Sequence, residues 1–292
     1  MWNNPYALMG LQLVLWGSYA AVSKLALEQT AVWPCQCYSF ATAFLTLAIP
    51  YFSRNGLKKL CALTRKDLLW LVAIACPSFL YYFFYTTALS LTSAVQASVL
   101  NYTFPLFVIL LAWPICGEKL TAKSGLAAIL GFLGTVIVLF AGHSPANLQG
   151  SQNGAIYALC GAVCWAVFSN LGRKSQADNE TANLVYMAVG FLLSLLGMLI
   201  SGEDMAIGGK QLVCVIWNGV FSLAAGYFIW FRILAVAPVA LAANLSFLTP
   251  FANLLFIALL LREPIYWQHW AGLLVILLGV FLQSASKETV KK

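Results

Sequence analysis

The chain has 292 residues, of which 62% are hydrophobic and 9% are charged, and its mean hydropathy is +0.85. A soluble protein of this size could not bury so much apolar surface, so the composition predicts an integral membrane protein. The formal net charge is +7. The lysines and arginines lie mostly in short links between apolar runs, where they orient helices, so we expect no nucleic-acid partner.

Apolar runs divide the chain at regular intervals. About 20 consecutive apolar residues are needed to cross a bilayer, and ten runs approach this length. The sequence therefore predicts an all-α integral membrane protein with ten transmembrane helices, at residues 6–28, 33–52, 68–91, 94–116, 121–142, 153–173, 180–201, 211–236, 239–261 and 266–286.

The distribution of basic residues predicts the orientation of these helices. The longest link, from Phe52 to Asp67, is the most basic and is placed in the cytoplasm by the positive-inside rule. Alternating from this link puts most of the 16 basic residues, and both termini, on the same side. We expect a multi-pass protein of the cytoplasmic membrane.

An internal repeat organises the chain. The stretch from Ala94 to Glu118 reappears in altered form from Val239 to Glu263, with Pro105 matching Pro250 and Glu118 matching Glu263. We interpret residues 1–145 and 150–287 as two copies of five helices each. Because five is an odd number, the second copy crosses the membrane in the opposite sense. Inverted repeats are typical of secondary transporters, which bind substrate near the midplane between the copies; the alternative is a doubled structural bundle.

Pro105 and Pro250 each lie at the midpoint of a predicted helix. Proline removes a backbone N–H and bends the helix, and in lipid the freed carbonyl group must face protein or a water-filled cavity. We interpret both prolines as gating positions, with a packing kink as the alternative.

Aromatic and amide side chains provide the candidate binding groups. Tyr82 and Tyr85 share one face of the third helix, and Tyr227 and Trp230 share the corresponding face of the eighth. Aromatic rings near the middle of a span suit a ring-bearing or cationic substrate, although they also form interfacial belts. Buried amides and hydroxyls should point inward, toward either a neighbouring helix or a substrate; the candidates are Gln96, Asn101, Asn170, Asn218, Asn244, Ser246 and Asn253.

Charged groups inside the spans are few. No aspartate or glutamate lies at the centre of a predicted helix, so the carboxylate relay of a proton-coupled pump is missing. We interpret the charges near helix ends as structural: Lys24, Glu118, Arg173, Arg232 and Glu263.

Neither an enzyme nor a cofactor is indicated. The chain has no Walker loop, and its two histidines stand at helix ends without metal-ligand neighbours. Most of its eight cysteines lie inside apolar runs without paired spacing, so we interpret them as small hydrophobic residues.

These motifs together resemble the EamA-type permeases of the drug/metabolite transporter superfamily. The matching segments are Asn101-Tyr102-Thr103-Phe104-Pro105, Gly117-Glu118-Lys119-Leu120, Trp16-Gly17-Ser18 leading to Lys24, and Tyr227 with Trp230-Phe231-Arg232, Pro250, Glu263 and Gly272. The second copy departs from the pattern at Arg262-Glu263-Pro264, where glycine is expected before the glutamate.

The resemblance implies ten helices in two inverted repeats around a central cavity, with alternating access. The implied substrate-binding residues are Trp16, Tyr82, Tyr85, Gln96, Asn101, Trp165, Asn170, Tyr227, Trp230 and Asn244. Because members of this family mostly export amino acids and other small metabolites, we expect a secondary exporter of such solutes. The alternatives are a transporter of quaternary ammonium cations and a non-transporting scaffold or receptor. The expected partners are a small-molecule solute and the bilayer, with protons as a candidate coupling ion and a monomer as the default state.

Overall fold

The computed structural model describes residues 4–55, 57–117, 122–140, 149–236 and 248–287, and these ranges are helical without a strand. The α-helices are α1 Pro5–Ala26, α2 Val32–Asn55, α3 Lys58–Cys61, α4 Arg65–Leu91, α5 Ala94–Asn101, α6 Phe104–Cys116, α7 Ala122–Leu139, α8 Gln149–Gly172, α9 Asn179–Ser201, α10 Gly209–Trp217, α11 Gly226–Val236, α12 Thr249–Leu261 and α13 Trp267–Lys287. A π-helix, Asn218–Ala225, joins α10 to α11.

Several of these helices are suited to a bilayer. Within the described ranges, five helical segments are long and apolar enough to cross a membrane, and one bent pair makes a sixth. Shorter apolar helices occupy Ile129–Val138, Thr249–Leu261 and Trp267–Gly279. The prediction of an all-helical membrane protein is thus confirmed, while the ten crossings, the inverted arrangement and the sidedness stay predictions.

The described helices divide into two compact units. Unit 1 contains residues 1–79 and 175–262, and unit 2 contains residues 80–174 and 263–292. Each unit therefore combines segments from both halves of the sequence, and the first division falls inside α4. The two sequence repeats at 1–145 and 150–287 follow a different criterion, the matching of residues, and stay a prediction.

In unit 1, α2 and α9 pack side by side. Their close approach depends on Gly190, because a Cβ atom there would lie 2.4 Å from the ring of Phe40. At one end of the pair, the backbone N–H of Trp33 donates to Glu203 Oε2 over 3.1 Å. At the other end, the hydroxyl groups of Tyr51 and Thr181 lie 2.9 Å apart. These two contacts show that α2 and α9 are antiparallel.

Charged groups lie at the Tyr51 end of this pair. Lys59 Nζ is 3.2 Å from Glu180 Oε2 and 3.7 Å from Asp178 Oδ1. The hydrogen bond to Glu180 raises the pKa of Lys59 above its ordinary value. Partial burial alone would raise the pKa of Asp178, but hydrogen bonds from Thr181 and the charge of Lys59 outweigh it and lower that pKa. The link after α2 is thereby fastened to the start of α9.

In unit 2, α7 and α13 cross at two glycines. A Cβ atom on Gly134 would lie 2.7 Å from the Gly272 carbonyl oxygen, and a Cβ atom on Gly272 would lie 2.7 Å from the Gly134 carbonyl oxygen. Only residues without a side chain allow two helix backbones to approach so closely, as is common in membrane proteins.

The two prolines lie at helix starts in the structure. The predicted fourth helix is divided at Tyr102 and Thr103, and Pro105 occupies the first turn of the new helix α6. Leu106 N–H bonds to Thr103 O over 3.0 Å, which is a tightened turn. A separate bend of 43° follows Val108, between Ala94–Val108 and Leu110–Cys116. Pro250 occupies the equivalent place in the first turn of α12.

A left-handed residue ends each of these two proline-initiated helices. Gly117 follows α6 with φ 72°, and its repeat partner Arg262 follows α12 with φ 55°. Arg262 is the one non-glycine residue with positive φ in the described part of the chain. The backbone conformation of the glycine in the first copy is therefore kept in the second copy, although the residue has changed.

Replacing Arg262 by glycine should relieve this strain. A left-handed conformation costs a residue with a Cβ atom about 1 kcal/mol, so R262G should be more stable to unfolding than R262A by about that amount. R262A is the matched control, because it also removes the charge but retains the Cβ atom. Equilibrium unfolding of both purified variants in detergent measures the difference, and equal stabilities would contradict a strained Arg262.

The glycine crossing of unit 2 gives a second prediction. G134A should lower the free energy of unfolding by about 1–3 kcal/mol, because the added methyl group forces α7 and α13 apart. G125A in the same helix is the control, since a Cβ atom there meets nothing within 4 Å and alanine is the better helix former. Equilibrium unfolding in detergent should show G125A to be at least as stable as the wild type. A G134A variant as stable as the wild type would exclude a tight crossing.

Candidate functional site

In each unit, aromatic residues that the sequence predicts to bind substrate form a cluster. In unit 1, the cluster joins α1 to α11: the ring of Trp16 is 6.3 Å from that of Tyr227, edge to face, and 5.7 Å from that of Trp230. Tyr227 is buried, while Trp16 and Trp230 are half-buried. Trp16 and two predicted substrate-binding residues more than 200 positions later in the sequence thus form one contact set.

Trp16 packs against the backbone of the π-helix. The N–H of Gly226 is directed at the carbonyl groups of Phe221 and Leu223, and the carbonyl oxygen of Ser222 accepts a hydrogen bond from Trp16 Nε1 over 3.1 Å. A Cβ atom on Gly226 would lie 2.5 Å from Trp16 Nε1. A wide turn and a glycine therefore hold the indole ring against bare backbone, and π-helical turns occur frequently at functional sites.

Gln12 extends the same arrangement by one turn of α1. With its amide oriented to satisfy both neighbours, Gln12 donates to the Gly226 carbonyl oxygen over 3.1 Å and accepts from Trp16 Nε1 over 3.3 Å. Gln12 is buried. It was not among the residues that the sequence pointed to, although a glutamine four positions before Trp16 lies on the same helix face.

Polar side chains connect α1 to the π-helix along the rest of its length. Ser222 Oγ donates to the Leu15 carbonyl oxygen over 2.9 Å. Trp217 Nε1 donates to Ser18 Oγ over 3.0 Å, and Asn218 Nδ2 donates to Ser23 Oγ over 2.9 Å. Asn218 was predicted to point inward and does so. Its Oδ1 atom is buried without a hydrogen-bond partner.

In unit 2, the aromatic cluster is centred on Tyr81. Its ring lies 4.8 Å from that of Tyr82, 6.0 Å from that of Tyr85 and 4.7 Å from that of Trp165. Phe104, next to Pro105, contacts Trp165 at 6.0 Å. The structure thus brings Tyr82, Tyr85 and Trp165 together around a residue that the sequence analysis missed.

The sequence did not indicate Tyr81, because the candidate residues came from aromatic matches between the two copies. Its counterpart in the second copy is Gly226, so no matching aromatic residue was present to draw attention to it. The signal that could have found it is local: Tyr81 and Tyr85 are four residues apart, a spacing that places them on one helix face.

Asn101 is the polar member of the unit 2 cluster. It is buried, and its Nδ2 donates to the Tyr81 hydroxyl over 3.3 Å, while its Oδ1 has no hydrogen-bond partner among the described residues. The hydroxyl group of Tyr85 has another hydrogen-bond partner, Ser98 Oγ, at 2.8 Å. A free carbonyl oxygen beside tyrosine and tryptophan rings can accept a hydrogen bond from a cationic or neutral donor.

Gln96 and Asn170 lie apart from this cluster. Gln96 Oε1 accepts from Thr92 Oγ1 over 2.5 Å, and its Nε2 atom is buried without a partner. Asn170 Nδ2 donates to the carbonyl oxygens of Val108 and Ala166, 2.9 and 3.0 Å away. The contacts of Asn170 are of the interhelical kind that the sequence analysis kept as its alternative, because they tie α8 to α6.

Glu263 caps the start of α5 in unit 2. Its two carboxylate oxygens accept hydrogen bonds from the backbone N–H groups of Ala94 and Val95, over 3.0 and 3.1 Å. These N–H groups belong to the first turn of α5, where the helix has no backbone partner for them and where its dipole favours an anion. The glutamate that ends the second matching stretch of sequence thereby caps the helix that begins the first, at Ala94.

The remaining predicted residues are distributed as follows. Lys24 is half-buried in the last turn of α1, Arg232 is half-buried in α11, and Arg173 is exposed just after α8. Glu118 and Asn244 lie outside the described residues. Within the described ranges, no group of three or more histidine, cysteine, aspartate or glutamate side chains is placed to hold a metal ion.

Comparison with known proteins places this architecture in a family. The model of the EamA-like transporter family matches residues 5–140 and again residues 152–285, so the chain belongs to the EamA-like transporter family. The two matches meet in the same region as the proposed boundary between the sequence repeats.

Relatives agree with this assignment. An uncharacterized transporter of Archaeoglobus fulgidus is 23% identical over 98% of this chain and 99% of its own length. The aromatic amino acid exporter YddG of Ancylobacter novellus is 27% identical over 58% of this chain and 60% of its own. A crystal structure aligns with a TM-score of 0.68 at 19% identity, covering 99% of each chain, and it supports the fold alone.

Removing the indole nitrogen of Trp16 should test its packing on the π-helix. W16F retains a ring but leaves the Ser222 carbonyl group without the indole N–H donor. The free energy of unfolding should therefore be about 1 kcal/mol lower than in the wild type. W113F is the control, because Trp113 is 59% exposed. Unfolding in detergent gives both values, and a W16F variant as stable as W113F would show that this hydrogen bond is not formed.

Proposed function

We propose that the protein is a secondary active transporter that exports amino acids or similar small metabolites across the cytoplasmic membrane by alternating access. Membership of the EamA-like transporter family supports transport of a small solute. The similarity to an aromatic amino acid exporter supports amino acids as the solute class. The outward direction rests on the same relative.

The unit 2 cluster is the observation on which the substrate class depends. Tyr81, Trp165 and Phe104 present ring edges and faces for stacking, which suits an apolar or aromatic side chain. The unpaired Oδ1 of Asn101 lies beside these rings. An amino acid offers both complementary groups, because its ammonium group donates to a carbonyl oxygen while its side chain packs on the rings.

The buried position of Asn101 makes this complementarity selective. An amide oxygen that is buried without a partner costs about 1–3 kcal/mol, and a substrate ammonium group would remove that cost on binding. A solute without a hydrogen-bond donor would leave it in place. The same site therefore favours amines over apolar solutes of equal size.

Alternating access requires segments that can change conformation. The division between α5 and α6 at Tyr102 and Thr103 is the best placed, since Asn101 precedes it and Phe104 follows it. A change of angle at this break would move Asn101 relative to the rings that Phe104 and Trp165 supply. We therefore assign gating to the segment around Pro105, and to Pro250 by its equivalent place in α12.

A ligand panel tests the solute class. The detergent-purified protein is melted with aromatic and aliphatic amino acids, choline-like cations and sugar phosphates. A ligand that binds only the folded state stabilises it by about 2.7 kcal/mol at a hundredfold excess over its Kd. We expect aromatic amino acids to raise the melting temperature most; stabilisation by quaternary ammonium cations alone would favour the aromatic cage over an amino acid site.

Variants then test the site. In proteoliposomes, N101A should weaken apparent affinity for the identified amino acid about tenfold, since a hydrogen bond to a charged group is lost. W165A should reduce transport as well, because the ring that contacts Tyr81 and Phe104 is removed. W113A is the control for the loss of a tryptophan at an exposed position. Transport kinetics unchanged in both N101A and W165A would refute this site.

A further inference from the structure

A basic patch lies at one end of unit 1. It consists of Arg54 in the last turn of α2, Lys58 in α3, and Arg65 and Lys66 in the first turn of α4. All four side chains are exposed. None of them makes a hydrogen bond or an ion pair within the described part of the chain.

The acidic groups nearby are already engaged. Asp67 Oδ2 accepts from the hydroxyl and the backbone N–H of Thr64, over 2.6 and 3.2 Å, and so forms a capping box at the start of α4. Asp178 and Glu180 are engaged with Lys59, the fifth basic residue of this link. The charge of Asp67 acts on its neighbour Lys66, but one carboxylate cannot balance the four remaining cations, so the patch keeps an excess of positive charge.

Exposed apolar side chains continue directly from the patch along both helices. Lys66 and Trp70 are four residues apart on α4, as are Arg65 and Leu69, so each cation stands one turn beyond an apolar residue on the same face. The exposures are 37% for Trp70 and 59% for Leu69.

The flanking helix and the link show the same combination. Phe52 on α2 is 38% exposed, and Leu57 at the start of α3 is 63% exposed. Aromatic rings beside basic residues are typical of the level where lipid headgroups meet acyl chains. The basic side chains and the exposed apolar side chains therefore follow one another as the headgroup and the acyl chains do in a phospholipid.

We infer that this patch binds the phosphate groups of anionic phospholipids, with the acyl chains lying along the exposed apolar faces of α2 and α4. The charge selects an anionic headgroup over a zwitterionic one. The apolar strips select a lipid over a soluble phosphate, because the latter would leave them unused. This binding is independent of the transported solute.

Native mass spectrometry of the detergent-purified full-length protein tests the inference. Phosphatidylglycerol is compared with phosphatidylcholine of the same acyl chains, and inorganic phosphate is added in a separate arm. We expect the protein to retain phosphatidylglycerol in preference, and to release it as salt is raised because exposed charges are screened. Equal retention of both lipids, or displacement of phosphatidylglycerol by inorganic phosphate at equal concentration, would overturn the inference.

Paired variants locate the site. K58Q/K66Q removes two exposed cations of the patch, and each contributes about fivefold to binding an anionic surface, so the affinity for phosphatidylglycerol should fall about 25-fold. K174Q/K210Q lowers the net charge equally but removes cations that already have partners, the Ile115 carbonyl oxygen and Glu28. The control should keep the wild-type affinity; equal loss in both variants would mean a general charge effect and refute the site.

Melting in lipid-free detergent separates binding from folding. K58Q/K66Q should have a melting temperature close to that of the wild type there, since neither lysine makes a hydrogen bond or an ion pair with the described residues. If this variant does not fold, R65Q replaces it, with an expected fivefold loss. Unchanged affinity in R65Q would count against the site in the same way.

Discussion

A backbone N–H or C=O group in an apolar surrounding must find a hydrogen-bond partner, because water is not there to supply one. The helices of this protein satisfy most such groups internally, and each place where a helix is interrupted needs another donor or acceptor. The Ser222 carbonyl in the π-helix takes the indole N–H of Trp16. The first turn of α5 takes the carboxylate of Glu263. Breaks in the helices thus determine where polar side chains lie.

This requirement also explains why the candidate site residues lie where they do. Trp16, Gln12 and Gly226 gather at the irregular turn of unit 1, and Asn101 and Phe104 stand on either side of the interrupted helix in unit 2. An interrupted helix is easier to bend than a continuous one, so the segments suited to movement are also those that carry the polar and aromatic groups. Binding and gating can therefore share the same short stretches of chain.

The matching segments of the sequence share some backbone features, while their side chains differ. Gly117 and Arg262 share a left-handed conformation, although arginine is a poor residue for it. Tyr81 and Gly226 occupy matching positions, yet one is the centre of an aromatic cluster and the other provides space for an indole ring. Matching segments can thus share a backbone conformation at one position while carrying unlike side chains. Such asymmetry suits a protein that binds a solute without twofold symmetry.

The sequence by itself determined the helical membrane class, the ends of several described helices to within a few residues, and the family, although it did not predict α3 and took α5 and α6 as one helix. Hydropathy and helix length act locally along the chain, so a sequence shows them directly. It also indicated most of the aromatic residues, because the repeat placed them at matching positions. Only the tertiary structure decided the π-helix, the role of Tyr81 and Gln12, the capping of α5 by Glu263 and the interhelical contacts of Asn170. Each of these depends on a contact between distant segments, and the spacing of residues within one helix carries no information about which distant group will face it.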